Sequence, residues 1–454
     1  MQHYVHSIYT YARTWYAKIT DNYSSYRYKL YRLLLLPHAH VLHIGRGTDE
    51  LARVDFLSTY IFVDTQSLDT LAHKVEQQPY DYIIISLSFL PAVDIQALVT
   101  RIVPLCSPHT RIIIDRYVTY TDTVMRFFSV RAGVYPERMN QQLSWQNLQQ
   151  CVRLAGLEIV AHDGGYIFPW AVPGISLFFN SFVGSVPGIK KLGYMQWLVA
   201  RLVTRPVKKM NAEQAPSVSI IIPCKNEKGN IEPAVQRIGN FARTQEIIFV
   251  EGNSSDGTRE KLYNIQRKYP EKNITVLVQQ GRGKRDAVYQ GFAHATGDIL
   301  MILDADLTVM PEELGKFYIT LCSGVGEFIN GSRLIYPMDA QAMQQLNFIA
   351  NHSFSKFFSW IFGQKITDTL CGTKVFYKKD LVRILQGKEL LNNRDPFGDF
   401  DLLCGAARAQ LKIVDMPVHY RARSYGTTQI RRFYHGIILI GLTMLMFKKF
   451  KMRP

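Results

Sequence analysis

Short apolar runs rich in β-branched residues recur along the first part of the chain, at 41–44, 60–63, 82–85 and 111–114. Helical patterns lie between them, as at 68–77 and 94–105. Strand-sized runs alternating with helix-sized ones predict a parallel sheet. Ahead of them, 1–36 reads as an amphipathic helical segment ending in four leucines before Pro37. The stretch 206–216 is polar and bracketed by prolines, as linkers are. A second alternation follows, with strands expected at 218–222, 246–250, 274–278 and 299–303 and helices at 230–241, 258–269 and 284–295. The expected fold class is therefore α/β, two doubly wound sheet domains in series with a short basic apolar C-terminal helix. The expected division is an N-terminal segment 1–36, a first domain 37–205, a linker 206–216, a second domain 217–430 and a tail 431–454.

Charge changes this picture only when it is divided along the chain. Of a net +16, residues 1–163 and 213–415 contribute +1 each. The segment 164–212 carries six basic residues and no acid, and 416–454 carries eight and no acid. Both stretches are also rich in aromatic and aliphatic residues. Nucleic-acid binding would set cations among polar residues on a folded face, so no nucleic-acid partner is expected. Cations beside apolar patches point to an anionic membrane surface. The longest apolar run, 436–447, spans about 18 Å as a helix, short of a ~30 Å hydrocarbon core. An interfacial or re-entrant helix is expected there, with packing on the protein core as the alternative. Trp170, Phe178 and Phe179 are candidate anchors in the other basic segment. Six scattered cysteines without a CxxC pair, and eight tyrosines but no leader pattern in the first 31 residues, lead to an expected place on the cytoplasmic face of a membrane.

The second alternation carries the clearest chemistry. Ligands of open α/β sheets gather at the carboxyl ends of the strands, and four successive strand ends here carry polar motifs. They are Pro223-Cys-Lys-Asn-Glu227, Glu251-Gly-Asn-Ser-Ser-Asp256-Gly-Thr258, Gly281-Arg-Gly-Lys284 and Asp304-Ala-Asp306. Carboxylates two residues apart on extended chain point to one side. Asp304 and Asp306 can thus address one hard cation, Mg²⁺ or Mn²⁺, with substrate phosphates completing its shell.

With Gly331-Ser-Arg333, Asp368-Thr-Leu-Cys-Gly372, Phe397-Gly-Asp-Phe-Asp401 and Arg423-Ser-Tyr-Gly-Thr-Thr428, these motifs resemble the family 2 glycosyltransferases of GT-A fold, and among them the dolichyl- or polyprenyl-phosphate sugar synthases. The resemblance covers about 217–432. It implies that Pro223, Glu227, Glu251 and Asp256 serve the nucleotide part of the donor and that Lys284 lies near it. It implies Asp304 and Asp306 for metal and diphosphate, Arg333 and Arg423 for phosphate, and Asp401 at a late acidic position. The implied reaction is inverting transfer from a nucleoside-diphosphate sugar to a lipid phosphate. A hydroxyl acceptor, with Asp401 as base and an active first domain, is one alternative, and a non-catalytic membrane-bound scaffold is another.

In the first domain, Val41-Leu-His-Ile-Gly45-Arg-Gly47-Thr-Asp49 resembles the first motif of class I S-adenosylmethionine-dependent methyltransferases. The resemblance implies Gly45, Gly47 and Asp64 for that cofactor. His43 stands where the family has an acid, and only 16 residues separate Asp64 from Asp81, too few for a further strand. A structural role without methyl transfer is therefore expected, with S-adenosylmethionine binding doubtful.

Overall fold

The computed structural model describes 25–45, 57–63, 79–87, 94–117, 145–168, most of 172–203, 215–336, 345–388, most of 395–426, and 432–451. Gly47, Asp64, Trp170, the helical pattern at 68–77 and nearly all of the expected linker lie outside these residues. The chain forms two compact units: Met1–Val203 together with Phe447–Pro454, and Thr204–Met446. Each is built on its own α/β sheet, so the fold class is two mixed sheets in series.

The first unit opens with a helix at 25–34 (α1). Its six strands are β1 (His40–Ile44), β2 (Thr59–Val63), β3 (Tyr82–Ser86), β4 (Arg111–Tyr117), β5 (Leu157–Gly165) and β6 (Met195–Leu202), in the order β2-β1-β3-β4-β6-β5. The first four are parallel, whereas β6 runs antiparallel to both β4 and β5. Hydrophobic alternation reports which residues face a core but not strand direction, which is why a parallel sheet was the expectation. Helices α2 (Ile95–Ile102) and α3 (Trp145–Leu154) pack Leu98, Val99, Leu148 and Val152 against the strand residues Ile83, Ile85, Ile112 and Ile114. Asp94 caps α2 by accepting the Ala97 amide at 3.0 Å.

The second unit has seven strands: β7 (Val218–Cys224), β8 (Gln245–Glu251), β9 (Ile274–Val278), β10 (Ile299–Ile302), β11 (Phe328–Ser332), β12 (Lys374–Tyr377) and β13 (Ile413–Pro417). Their order is β13-β11-β12-β10-β7-β8-β9, with β12 antiparallel to both neighbours. Strands β10-β7-β8-β9 are parallel, so their carboxyl ends share one edge. Between them run α4 (Lys228–Arg237), α5 (Thr258–Lys268) and α6 (Gly283–His294). Later come α7 (Leu314–Cys322), α8 (Gln345–Phe362), α9 (Leu381–Lys388), α10 (Asp399–Arg408) and the closing α11 (Arg432–Phe450). Close packing of α6 on the sheet needs Gly291, since a Cβ there would strike the Ile221 side chain. Along α11, Leu439, Leu442, Met446 and Phe450 are buried while Ile437, Ile440 and Met444 are exposed. No helix among the described residues is long and apolar enough to cross a membrane.

Candidate active site

The parallel edge of the second sheet delivers its polar residues to one place. β10 ends at Ile302, and the chain runs through buried Leu303 into Asp304 and Asp306. The two carboxylates carry different cations. Lys284, in the first turn of α6, lies 2.7 Å from Asp304 Oδ1 and 3.4 Å from Asp399 Oδ2. Arg423 donates from Nη2 to Asp306 Oδ2 at 2.6 Å and from Nη1 to Glu227 Oε1 at 3.2 Å. The other oxygen of Asp306 accepts from the Thr308 amide and hydroxyl at 3.1 and 2.8 Å, which closes the turn and fixes its rotamer. Leu307 sits at φ 54°, in the left-handed region, so the backbone reverses sharply behind the pair.

Arg423 reaches Asp306 because the segment after β13 is tied to the loop after β10. Tyr420 forms a β-bridge with Val309, and the Arg421 amide donates to the Thr308 carbonyl at 2.9 Å. A glycine completes the approach on the other side. A Cβ on Gly372 would meet Asp304 Oδ2 and Lys284 Nζ, so a larger residue there would push the ion pair aside.

These ion pairs set the titration of the site. Burial alone would lower the Lys284 pKa, but Asp304 and Asp399 outweigh it and raise it. Burial pushes Asp399 up to about 6 despite Lys284 beside it. Burial also lifts Glu227 to about 7, although the Asn230 amide at 2.6 Å and Arg423 both oppose the rise. Asp304 and Asp306 remain partly open, at 30 % and 18 % side-chain exposure, which leaves room for a further ligand.

Arg333, at the end of β11, is held by a two-pronged pair with Asp368: Nε to Oδ2 at 2.7 Å and Nη2 to Oδ1 at 2.9 Å. Asn351 on α8 donates to Asp368 Oδ1 at 2.9 Å, and the guanidinium lies 5.1 Å from the Tyr420 ring centroid. Burial would raise the Asp368 carboxyl, but Arg333 outweighs it and holds it at about 2. This fork fixes the direction of the remaining guanidinium edge.

The nucleotide-side candidates are arranged differently. Pro223 lies in β7 opposite Val250 of β8. Glu251, at the end of β8, is buried and accepts the Ser254 amide at 2.5 Å and Arg259 Nε at 2.7 Å. Burial would raise Glu251, and these donors reverse the shift. Asp256 accepts from the Thr258 amide and hydroxyl at 3.0 and 2.5 Å and from the Lys228 amide at 3.2 Å, tying the starts of α4 and α5 together. Asp401 faces elsewhere: it is buried on α10, 2.5 Å from Arg285 Nε and 3.4 Å from the Tyr289 hydroxyl.

Asp399, Asp368 and Gly372 belong to the site and were not singled out from the sequence. All three stand inside quoted motifs. At the start of α10 the acids alternate, Asp399 and Asp401, and only the packing of that helix shows that Asp399 is the one beside Lys284.

Residues 219–385 match the family model described as glycosyl transferase family 2. The similarity to that family is thus confined to the second unit. Over 120 residues the chain is 37 % identical to the dolichol-phosphate mannosyltransferase of Pyrococcus furiosus, covering 26 % of this chain and 33 % of that protein. Over 121 residues it is 34 % identical to the probable glycosyltransferase YdaM of Bacillus subtilis, covering 26 % of this chain and 28 % of that protein. The chain thus matches a third or less of the length of these curated relatives. Among solved structures, glucosyl-3-phosphoglycerate synthase from Mycobacterium tuberculosis aligns with a TM-score of 0.38 at 16 % identity, over 53 % of this chain and 81 % of that one.

Proposed function

We propose that the chain is an inverting glycosyltransferase that moves a sugar from a nucleoside diphosphate to a lipid phosphate of polyprenyl type at a membrane surface. The observation that carries this reading is the paired arrangement at the β10 end, where Lys284 meets Asp304 and Arg423 meets Asp306. Two hard carboxylates and two cations on one sheet edge suit a divalent metal and a diphosphate. Among the described residues no third acid joins the pair to make a closed cage. Asp304 and Asp306 would hold Mg²⁺ or Mn²⁺, with diphosphate oxygens completing the shell; the metal would supply charge neutralisation for the leaving group.

The residues themselves then do the following. Lys284 and Arg423 exchange their carboxylate partners for phosphate oxygens, placing positive charge where negative charge develops. Gly372 and Leu307 hold the loops close, so these cations need little rearrangement. Arg333, fixed by Asp368, orients the attacking phosphate. A phosphate dianion is already a nucleophile at neutral pH, so no general base is needed. A hydroxyl acceptor would need one, and Asp401, buried against Arg285, is poorly placed for it. The relationship to the mannosyltransferase named for dolichol phosphate supports the same choice of acceptor.

The exposed stripe Ile437, Ile440 and Met444 on α11, followed by exposed Lys448 and Lys449, supports a peripheral position at an anionic surface. For the first unit we propose a methyltransferase-like sheet in a structural role. His43 is buried at the carboxyl end of β1, bonded through Nε2 to Ser86 Oγ at 2.8 Å and through Nδ1 to the Tyr60 hydroxyl at 2.6 Å. The test is a thermal-shift panel of UDP-, GDP- and dTDP-sugars with Mn²⁺, followed by transfer assays on a polyprenyl phosphate and on a hydroxyl acceptor. Stabilisation by a sugar nucleotide together with transfer to the phosphate is the expected result. Stabilisation by none of them overturns the reading.

A further inference from the structure

One segment of the first unit inverts the usual order of a surface turn. Across the short helical pieces Ile175–Leu177 and Phe178–Phe182, Ser176 and Asn180 bond back into the loop while Ile175, Phe178, Phe179 and Phe182 are exposed. Ser176 Oγ donates to the Val172 carbonyl at 2.9 Å and accepts its amide at 2.8 Å. Asn180 does the same one turn later, accepting the Phe168 amide and donating to the Phe168 carbonyl, each at 2.8 Å. Ile175, Phe178 and Phe182 are left 47 %, 54 % and 43 % exposed. At spacings of three and seven residues they share a face.

The rings are held in a continuous row. Phe179 stacks on Phe168 at 5.6 Å, Phe178 meets Phe179 edge-on at 5.6 Å, and Phe182 lies 5.9 Å from Phe178 and 5.8 Å from Phe447. Phe447 is followed by exposed Lys448 and Lys449, and Lys451, two residues further on, is anchored by a buried ion pair with Asp163. The row therefore ends beside cations whose backbone is tied to the same unit.

We propose that this aromatic row, Phe168 to Phe182 with Phe447, is a preformed wedge that inserts into an anionic lipid bilayer while Lys448 and Lys449 engage its headgroups. The inference deepens the membrane part of the proposed function. Rings held out by two side-chain staples lose little further freedom on insertion, so their burial is not offset by ordering of the loop. Exposed apolar patches of this kind mark interaction sites. Charge separates the candidate occupants. Lys448 and Lys449 stand exposed beside the row, so two copies of this face repel each other, whereas an anionic leaflet attracts them.

The experiment is co-sedimentation of the full chain with phosphatidylcholine vesicles containing roughly 30 % phosphatidylglycerol, at low and high salt, without donor or acceptor. The double variant Ile175→Ser/Phe178→Ser is expected to lower the partition coefficient at least about tenfold, with an unchanged thermal midpoint. The variant Lys448→Glu/Lys449→Glu is expected to lower it at low salt only, and it supplies the second reading should the first variant fold poorly. Equal binding by both folded variants and the parent overturns the wedge and leaves the membrane reading standing. No binding by the parent overturns both, without touching sugar transfer. A concentration-dependent dimer that the Ile175→Ser/Phe178→Ser variant abolishes would assign the face to a second copy and likewise overturn the wedge.

Discussion

Both sheets gather charged groups at the carboxyl ends of their parallel strands, and they treat them in opposite ways. In the first unit, Asp115 at the end of β4 accepts from Ser86 at 3.0 Å and from the Tyr31 hydroxyl, and it pairs with Arg27 Nε at 3.3 Å. Arg27 also donates to Ser86 at 2.5 Å, and Ser86 meets His43. Arg27, Tyr31, His43, Ser86 and Asp115 are all buried, because α1 lies over the strand ends and supplies the cation and the phenol. Burial, with Arg27 nearby, drives the His43 pKa well down, so the imidazole stays neutral. In the second unit the acids and cations also pair, but Asp304 and Asp306 keep an open edge. A charge network that closes on itself contributes structure. One that leaves an acceptor edge in solvent can exchange partners with a ligand.

The largest effect should come from breaking the open network. Asp306→Ala should lower metal-dependent transfer by about 10²–10³-fold or more, with the unfolding midpoint nearly unchanged. Undiminished transfer would remove the β10 pair from the site. The matching change in the sealed network, Asp115→Ala, should do the reverse. Leaving Arg27 buried without its carboxylate is expected to cost about 3–5 kcal/mol in denaturant unfolding, while transfer per folded molecule persists.

A smaller effect separates the two networks by pH. Glu227 rises from an ordinary 4.5 to about 7. Its ionisation in the folded protein therefore weighs against folding, with no penalty below the lower value and the full penalty above the upper one. Stability should fall as pH rises across that window, and Glu227→Gln should flatten the thermal-midpoint profile there. Parallel profiles for the two proteins would show that Glu227 does not titrate in this way. The smallest expected effect is none at all. Calorimetry should detect no S-adenosylmethionine binding to the first unit, and micromolar affinity would mean that its strand ends are not sealed.

Much of this was legible in the residues because the signals are local. The apolar runs that became β7 to β10 differ from expectation by at most two residues at either end. Two acids directly after a strand were legible in Asp304-Ala-Asp306, whereas the turn that they occupy, and the different cation that each meets, were not. The exposed aromatics Phe178 and Phe179 were visible as part of an acid-free apolar stretch. The parts that were not legible are relations between distant segments. Strand direction in β6 and β12 depends on where the chain crosses back, which hydrophobic alternation does not record.

By itself, the sequence determined which short segments become strands and helices, and which polar residues stand at strand ends. Those properties follow from side-chain periodicity and backbone preference over a few residues. Tertiary structure alone decided the partners. Arg423 meets Asp306 across 117 residues, Asp399 rather than Asp401 meets Lys284, and the stretch from Phe447 joins the first unit instead of the second. An ion pair needs its two groups within about 4 Å, and over such separations only the folded path of the chain within one unit brings them there.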